Sequence, residues 1–313
     1  MTIPQGKLLL VASTGGHLAQ IRQLADVIGA SDDSVWMTFD NAQSRSLLEG
    51  RRRVTVPYIA PRDWRGVLRS VKPIRNILRR EEFDGVISTG ASIAVPALVA
   101  GTLKRIPCAY IESVSRVDGP SMSGRILQHL PSVACYTQHQ SWAGGRWNYE
   151  VSLFDRFSAK AARPFRNDRE GRPLRIFVTL GTISPYRFDS LVDRISQVCA
   201  GQSVEVAWQL GCTTRTDVCG SSYAELSSGD FDAYVDWADV VVSHSGVGTC
   251  LRLLELGVKP LLVPRLRSRG EHVDDHQLQI ARDLEQRGLV SCRDAERLQF
   301  EDLLDLAAPK VGG

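Results

Sequence analysis

Short apolar runs alternate with amphipathic stretches along almost the whole chain. Runs at Lys7–Ala12, Ser34–Phe39, Val54–Ile59, Gly85–Ser88, Cys108–Ile111 and Val133–Thr137 predict strands, and mixed or amphipathic segments separate most of them. A polar stretch rich in Arg and Pro, ARPFRNDREGRP (Ala162 to Pro173), breaks the pattern. A second series then begins, with strands predicted at Leu174–Leu180, Val204–Leu210, Val240–Val242, Leu261–Val263 and Leu289–Ser291. Alternating strands and helices imply parallel sheets covered on both faces. Two such series joined by a linker predict two Rossmann-like α/β domains, residues 1–165 and 173–313, whose strands end at a central cleft.

One predicted helix carries most of the charge asymmetry. Trp64, Val67, Leu68, Val71, Ile74, Ile77 and Leu78 recur at helical spacing, with Arg65, Arg69, Lys72 and Arg79 between them. Pro73 removes a backbone donor and weakens the case for one straight helix. Between Arg51 and Arg80 ten Lys/Arg face a single acid, Asp63, and residues 1–164 hold 21 Lys/Arg against 13 Asp/Glu. Two readings fit: a helix packing its apolar stripe on a sheet and solvating its Arg face, or a surface drawn to an anionic membrane, with Trp64 at the interface. Nucleic acid is a poorer explanation and is not expected as a partner, since the sequence has no RNP-like, helix-turn-helix or aromatic-platform pattern.

Composition narrows the class. Apolar residues make up 43 % and charged residues 23 %, the balance of an ordinary globular protein. Seven scattered cysteines with no CxxC pair point to reduced thiols in a cytoplasmic compartment. No run reaches 18 uninterrupted apolar residues, so the chain is expected to be soluble or peripheral on a membrane.

Two glycine turns carry the candidate chemistry. SHSGVGT (Ser243 to Thr249) follows a strand and opens a Leu-rich helix; Gly246 and Gly248 let backbone N–H groups at the helix start point at an anion, a layout suited to a diphosphate. A polar loop holding Glu271, His272, His276 and Gln277 follows the next strand and can grip what the diphosphate carries. After the first strand, STGGHLAQ places Gly15 and Gly16 for close backbone approach and His17 at a helix start. There an imidazole can hold a hydroxyl or accept its proton, although a helix N-terminus disfavours the protonated ring. His272 and His276 lie four apart but lack the HExxH order and a third ligand, so no metal site is expected. Ser243, His244 and Ser245 lack a GxSxG elbow and do not form a hydrolase triad.

STGGH after the first strand, with HSGVGT followed by LELGVKP, PR and DHQ, resembles the MurG-related GT-B glycosyltransferases. STGASIAVP and ESVSRVDGPSMSGRIL look like the acceptor-side subunit of their two-subunit relatives, the eukaryotic dolichol-linked N-acetylglucosamine transferase and bacterial exopolysaccharide transferases; FVTLGT, RFDSLV and SHSGVGT look like the donor-side subunit. The resemblance implies a UDP-sugar held by Gly181, Thr182, Ser245, Gly246, Gly248, Thr249, Arg265, His276 and Gln277, with no required metal cofactor. It implies a lipid-linked saccharide acceptor received by Gly15, Gly16, Ser113, Arg116, Ser123, Gly124 and Arg125, with Glu112 or His17 as general base of an inverting transfer. Arg252 stands where MurG-like enzymes place a ribose-binding glutamate, and an arginine there suits an acidic donor such as UDP-glucuronate or faces solvent. A UDP-N-acetylglucosamine 2-epimerase and a non-catalytic nucleotide-sugar-binding partner of another transferase are the alternatives; the oligomeric state is left open.

Overall fold

The computed structural model describes residues 2–59, 63–158, 171–182 and 185–307. Residue contacts divide the chain into two compact units, Met1–Arg156 and Phe157–Gly313. Residues 162–170 of the predicted linker lie outside the described residues.

The first unit contains strands β1 (Leu8–Ala12), β2 (Val35–Phe39), β3 (Arg52–Val56), β4 (Gly85–Gly90), β5 (Cys108–Ile111), β6 (Val133–Thr137) and β7 (Trp147–Tyr149). They form one sheet in the order β3-β2-β1-β4-β5-β6-β7, and every pairing is parallel. Every residue of β1, β2, β4, β5 and β6 is buried, as the continuous apolar runs require of strands covered on both faces. The edges read differently. The predicted strand at Val54–Ile59 is instead β3, shifted towards exposed Arg52 and Arg53 and ending before Pro57, which cannot donate to a ladder. Edge strand β7 is short and only partly buried, so it left no apolar run to read.

Helices α1 (Gly16–Val27), α2 (Ala42–Leu47), α3 (Trp64–Arg80), α4 (Ala94–Leu103) and α5 (Met122–Leu127) follow β1 to β5 in turn. Helix α3 runs continuously from Trp64 to Arg80 with Pro73 inside it. The carbonyl that Pro73 cannot serve belongs to Arg69, an exposed residue. Asp63 caps the helix by accepting from the Gly66 N–H at 2.9 Å, while Gly66, Ser70, Ile74 and Leu78 form its buried stripe.

The second unit repeats the plan with β8 (Leu174–Thr179), β9 (Val204–Gln209), β10 (Ser221–Tyr223), β11 (Val240–Ser243), β12 (Leu261–Leu262) and β13 (Ser291–Cys292). Its parallel sheet has the order β10-β9-β8-β11-β12-β13. Helices α6 (Asp189–Cys199), α7 (Ser228–Trp237), α8 (Val247–Glu255), α9 (His276–Gln286) and α10 (Phe300–Ala307) complete it. Strand β10 is exposed at every residue and, like β7, has no apolar run to mark it. In both sheets the strand order reverses beside the first strand, between β1 and β4 and between β8 and β11, and ligands of open parallel sheets bind at the strand ends beyond such points. Among the described residues no helix is long and apolar enough to cross a membrane.

Candidate active site

At the first reversal point the turn after β1 meets the end of β4. Gly15 adopts φ 89°, a left-handed conformation open to glycine, with open space where a Cβ would stand. Its N–H donates to Gln43 Oε1 at 2.5 Å and its carbonyl accepts from Gln43 Nε2 at 3.2 Å, so the turn is clamped from α2 and this N–H is not left for a ligand. No sequence signal marked Gln43. His17 is half-buried, and its Nδ1 lies 2.8 Å from the Thr89 carbonyl. A carbonyl only accepts, so Nδ1 carries the hydrogen and Nε2 the lone pair of the neutral ring. The Thr89 hydroxyl donates back to the His17 carbonyl at 2.9 Å. A Cβ on Gly90 would lie 2.7 Å from His17 Cε1, so that glycine makes room for the ring.

Glu112 is placed differently. It is fully buried, and its carboxylate accepts four hydrogen bonds: from the Tyr110 hydroxyl (2.9 Å) and the Ser113 N–H (2.9 Å) on Oε1, and from the Ser121 N–H (2.8 Å) and hydroxyl (2.9 Å) on Oε2. Burial raises its pKa, and the bonds from Ser121, Ser113 and Tyr110 oppose the rise. Ser121 caps α5, and a Cβ on Gly124 would lie 2.4 Å from Glu112 Oε2. The anion expected at this helix start is therefore already within the fold, as Glu112 itself. Ser113 is also buried, accepting from Gln20 Nε2 at 3.0 Å. Ser123 donates to the Ala91 carbonyl at 3.2 Å, Arg125 is exposed, and half-buried Arg116 accepts at its carbonyl from Trp142 Nε1 at 2.9 Å.

The second reversal point gathers more of the predicted residues. The buried His244 ring is wedged between two glycines: a Cβ on Gly181 would lie 2.8 Å from its Nε2, and one on Gly246 would lie 2.3 Å away. Burial, with the nearby Arg265 charge, pushes His244 down to about 3, so the ring is neutral at physiological pH. Arg265 is 1 % exposed; its Nη2 donates to the Gly181 carbonyl at 3.1 Å and its N–H to Gln277 Oε1 at 3.1 Å. Burial lowers its pKa too. Ser245 holds a left-handed φ of 64°, a strained state for a residue with a Cβ. Arg265 Nε and the hydroxyls of Ser243 and Ser245 are buried with no hydrogen-bond partner among the described residues. No side chain caps α8, whose first turn contains half-buried Gly248 and Thr249. Thr182 is exposed.

The following loop is held by Glu271, which accepts from the Leu266 N–H at 3.1 Å and from the Ser190 hydroxyl. His276 opens α9 and its Nδ1 is bonded to Asp274. Arg252 pairs with Asp232, Nε to Oδ1 at 3.0 Å, and with Glu255 at 3.5 Å. So engaged, Arg252 ties α7 to α8.

His244 gives a pH dependence of stability. A ring held near 3 when folded and near 6.5 when unfolded takes up its proton only on unfolding. The unfolded state thus binds more protons between those values, and stability falls as pH drops from about 6.5 towards 3. The melting temperature of the second unit should decline through that window, and His244→Asn should flatten the decline. An equally steep decline in the variant would assign it to other groups.

Residues 175–310 match the glycosyltransferase family 28 C-terminal domain. The UDP-N-acetylglucosamine–N-acetylmuramyl-(pentapeptide) pyrophosphoryl-undecaprenol N-acetylglucosamine transferase of Xanthomonas campestris pv. campestris (strain 8004) is 25% identical over 325 aligned positions, covering 97% of this chain and 73% of that protein. Among solved structures, Acinetobacter baumannii MurG superposes with a TM-score of 0.59 at 16% identity, covering 97% of this chain and 89% of that one. The glycosyltransferase SnogD from Streptomyces nogalater does so with a TM-score of 0.63 at 16% identity, over 97% and 91%. The fold is therefore GT-B, two parallel-sheet α/β domains.

Proposed function

We propose that this chain, a MurG-like GT-B glycosyltransferase, moves the sugar of a UDP-sugar onto a polyprenyl-diphosphate-linked saccharide in cell-surface polysaccharide or glycolipid biosynthesis. The observation that carries the donor half is the group of buried polar atoms at the second reversal point, Arg265 Nε with the Ser243 and Ser245 hydroxyls, that have no hydrogen-bond partner among the described residues. Leaving such atoms unpaired costs about 1–3 kcal/mol each, and a diphosphate supplies the acceptors they lack. As the C1–O bond to the diphosphate breaks, its electron pair leaves with UDP. The added negative charge is met by the uncapped N–H groups of α8 and by Arg265. His276 and Gln277 read the sugar.

For the acceptor half we assign proton acceptance to His17 rather than Glu112. The acceptor hydroxyl attacks C1 and gives its proton to His17 Nε2, while the Thr89 carbonyl steadies the imidazolium through Nδ1–H. Glu112 holds the turn in place with both oxygens occupied. A membrane-borne acceptor is supported by an apolar and basic rim at the carboxyl end of the same sheet. There Trp64 and Leu68 of α3 are 64% and 61% exposed beside Arg65 and Arg69, and exposed Met122 and Ile126 of α5 flank Arg125. The protein would work peripherally at the cytoplasmic face.

The test is a panel of UDP-glucose, UDP-galactose, UDP-glucuronate and UDP-N-acetylglucosamine. The correct donor should stabilise the protein by about 2.7 kcal/mol at a hundredfold excess over its Kd. UDP release should then require the lipid-linked acceptor, and Arg65→Glu/Arg69→Glu should slow it in anionic vesicles but not in detergent. An isomeric UDP-sugar formed without acceptor would mean an epimerase, binding without turnover a recruiting partner, and a flat response to every donor would sink the reading.

A further inference from the structure

We propose that His272, Asp274 and His276 form a binding site for one divalent transition-metal ion of the zinc class. The sequence offered two histidines four apart and no third ligand; the fold supplies Asp274 between them. One ligand atom from each of the three lies within 4.8 Å of the other two. They come together because residues 271–275 run as successive bends into α9, whose first residue is His276.

His272 carries the inference. It is 7% exposed, and its Nδ1 is buried with no hydrogen-bond partner among the described residues. That atom is aimed at the cluster, 3.7 Å from Asp274 Oδ1. The ring is fixed on both sides, stacked on Tyr186 (centroids 5.4 Å, 27° between planes) and edge-on to His276 (4.7 Å, 81°). A buried imidazole nitrogen held in place and left unpaired is costly in a finished fold, and a metal bond satisfies it. Asp274 already bonds His276 Nδ1, which holds these two side chains side by side. Two imidazole nitrogens and one carboxylate oxygen suit zinc-class ions and not magnesium or calcium, which prefer all-oxygen sets. Three protein ligands leave a fourth position for water or an oxygen of a bound molecule. The argument rests on these three side chains and not on which sugar is transferred. Because His276 is also assigned to the donor, the test is made without UDP-sugar.

The full chain, freed of any affinity tag and stripped with chelator, is titrated calorimetrically with zinc chloride and, separately, magnesium chloride. Zinc should bind at one ion per chain and magnesium should not compete. His272→Ala and Asp274→Asn should each weaken zinc by at least about tenfold, while His129→Ala, at an exposed histidine elsewhere, should not. Partly exposed Asp274 keeps the test valid should His272→Ala fold poorly. Cobalt at the site should show d–d absorption without a thiolate charge-transfer band. Absence of binding, unchanged affinity in Asp274→Asn, or a thiolate band pointing to the cysteines would each overturn the proposal.

Discussion

Replacing His17 by alanine should lower sugar transfer by roughly 10²- to 10⁴-fold, the usual contribution of a positioned general base, and leave UDP-sugar affinity unchanged. The affinity should hold because every residue assigned to the donor belongs to the other compact unit. Glu112→Gln should behave in the opposite way. An amide NH₂ placed among the four donors that now meet the carboxylate must face at least one of them, Tyr110, Ser113 or either donor of Ser121. That cost is about 1–3 kcal/mol of stability, while turnover per folded molecule stays near that of the parent. Calorimetric donor binding, single-turnover rates and melting curves on both variants separate the two roles. A folded Glu112→Gln that binds donor and does not turn over, beside an active His17→Ala, would return the base to Glu112.

The contrast between these carboxylate and imidazole side chains shows what a sequence carries and what it withholds. The buried strands were legible because β1, β2, β4, β5 and β6 are covered on both faces and must be apolar throughout. Edge strands β3, β7 and β10 were misread or missed because exposure frees their composition. Glycine turns could be located but not apportioned. Gly124 looked like part of an anion site, yet its missing Cβ makes room for a carboxylate of the same fold. Gly181 and Gly246 looked like ligand-facing backbone, and they also make room for the His244 ring. Such roles depend on contacts between residues up to dozens of positions apart, such as Gln43 on Gly15, for which the chain carries no periodic or spacing signal. Arg252 illustrates the converse: its partner Asp232 lies on the preceding helix, and only the fold reveals that the arginine is already engaged.

Arg265→Met should raise the stability of the second unit while weakening donor binding. A guanidinium 1 % exposed, with Nε unpartnered and its pKa lowered by burial, is a desolvated charge that the fold itself compensates poorly. Methionine fills a similar volume without that charge. Little is orphaned by its loss. The Gly181 carbonyl keeps the Cys212 N–H at 3.2 Å, and Glu271 keeps the Leu266 N–H and the Ser190 hydroxyl. Removing a buried charge of this kind is commonly neutral or stabilising, by about 1–4 kcal/mol. The donor loses more. A charge-assisted contact to phosphate contributes about 1.5–3 kcal/mol, so UDP-sugar affinity should fall by roughly 10- to 150-fold. The two readouts must move in opposite directions, and this distinguishes a binding residue from a structural one. If the variant melts lower and still binds its donor, Arg265 is a strut of the fold, and the orphaned atoms around Ser245 need another explanation.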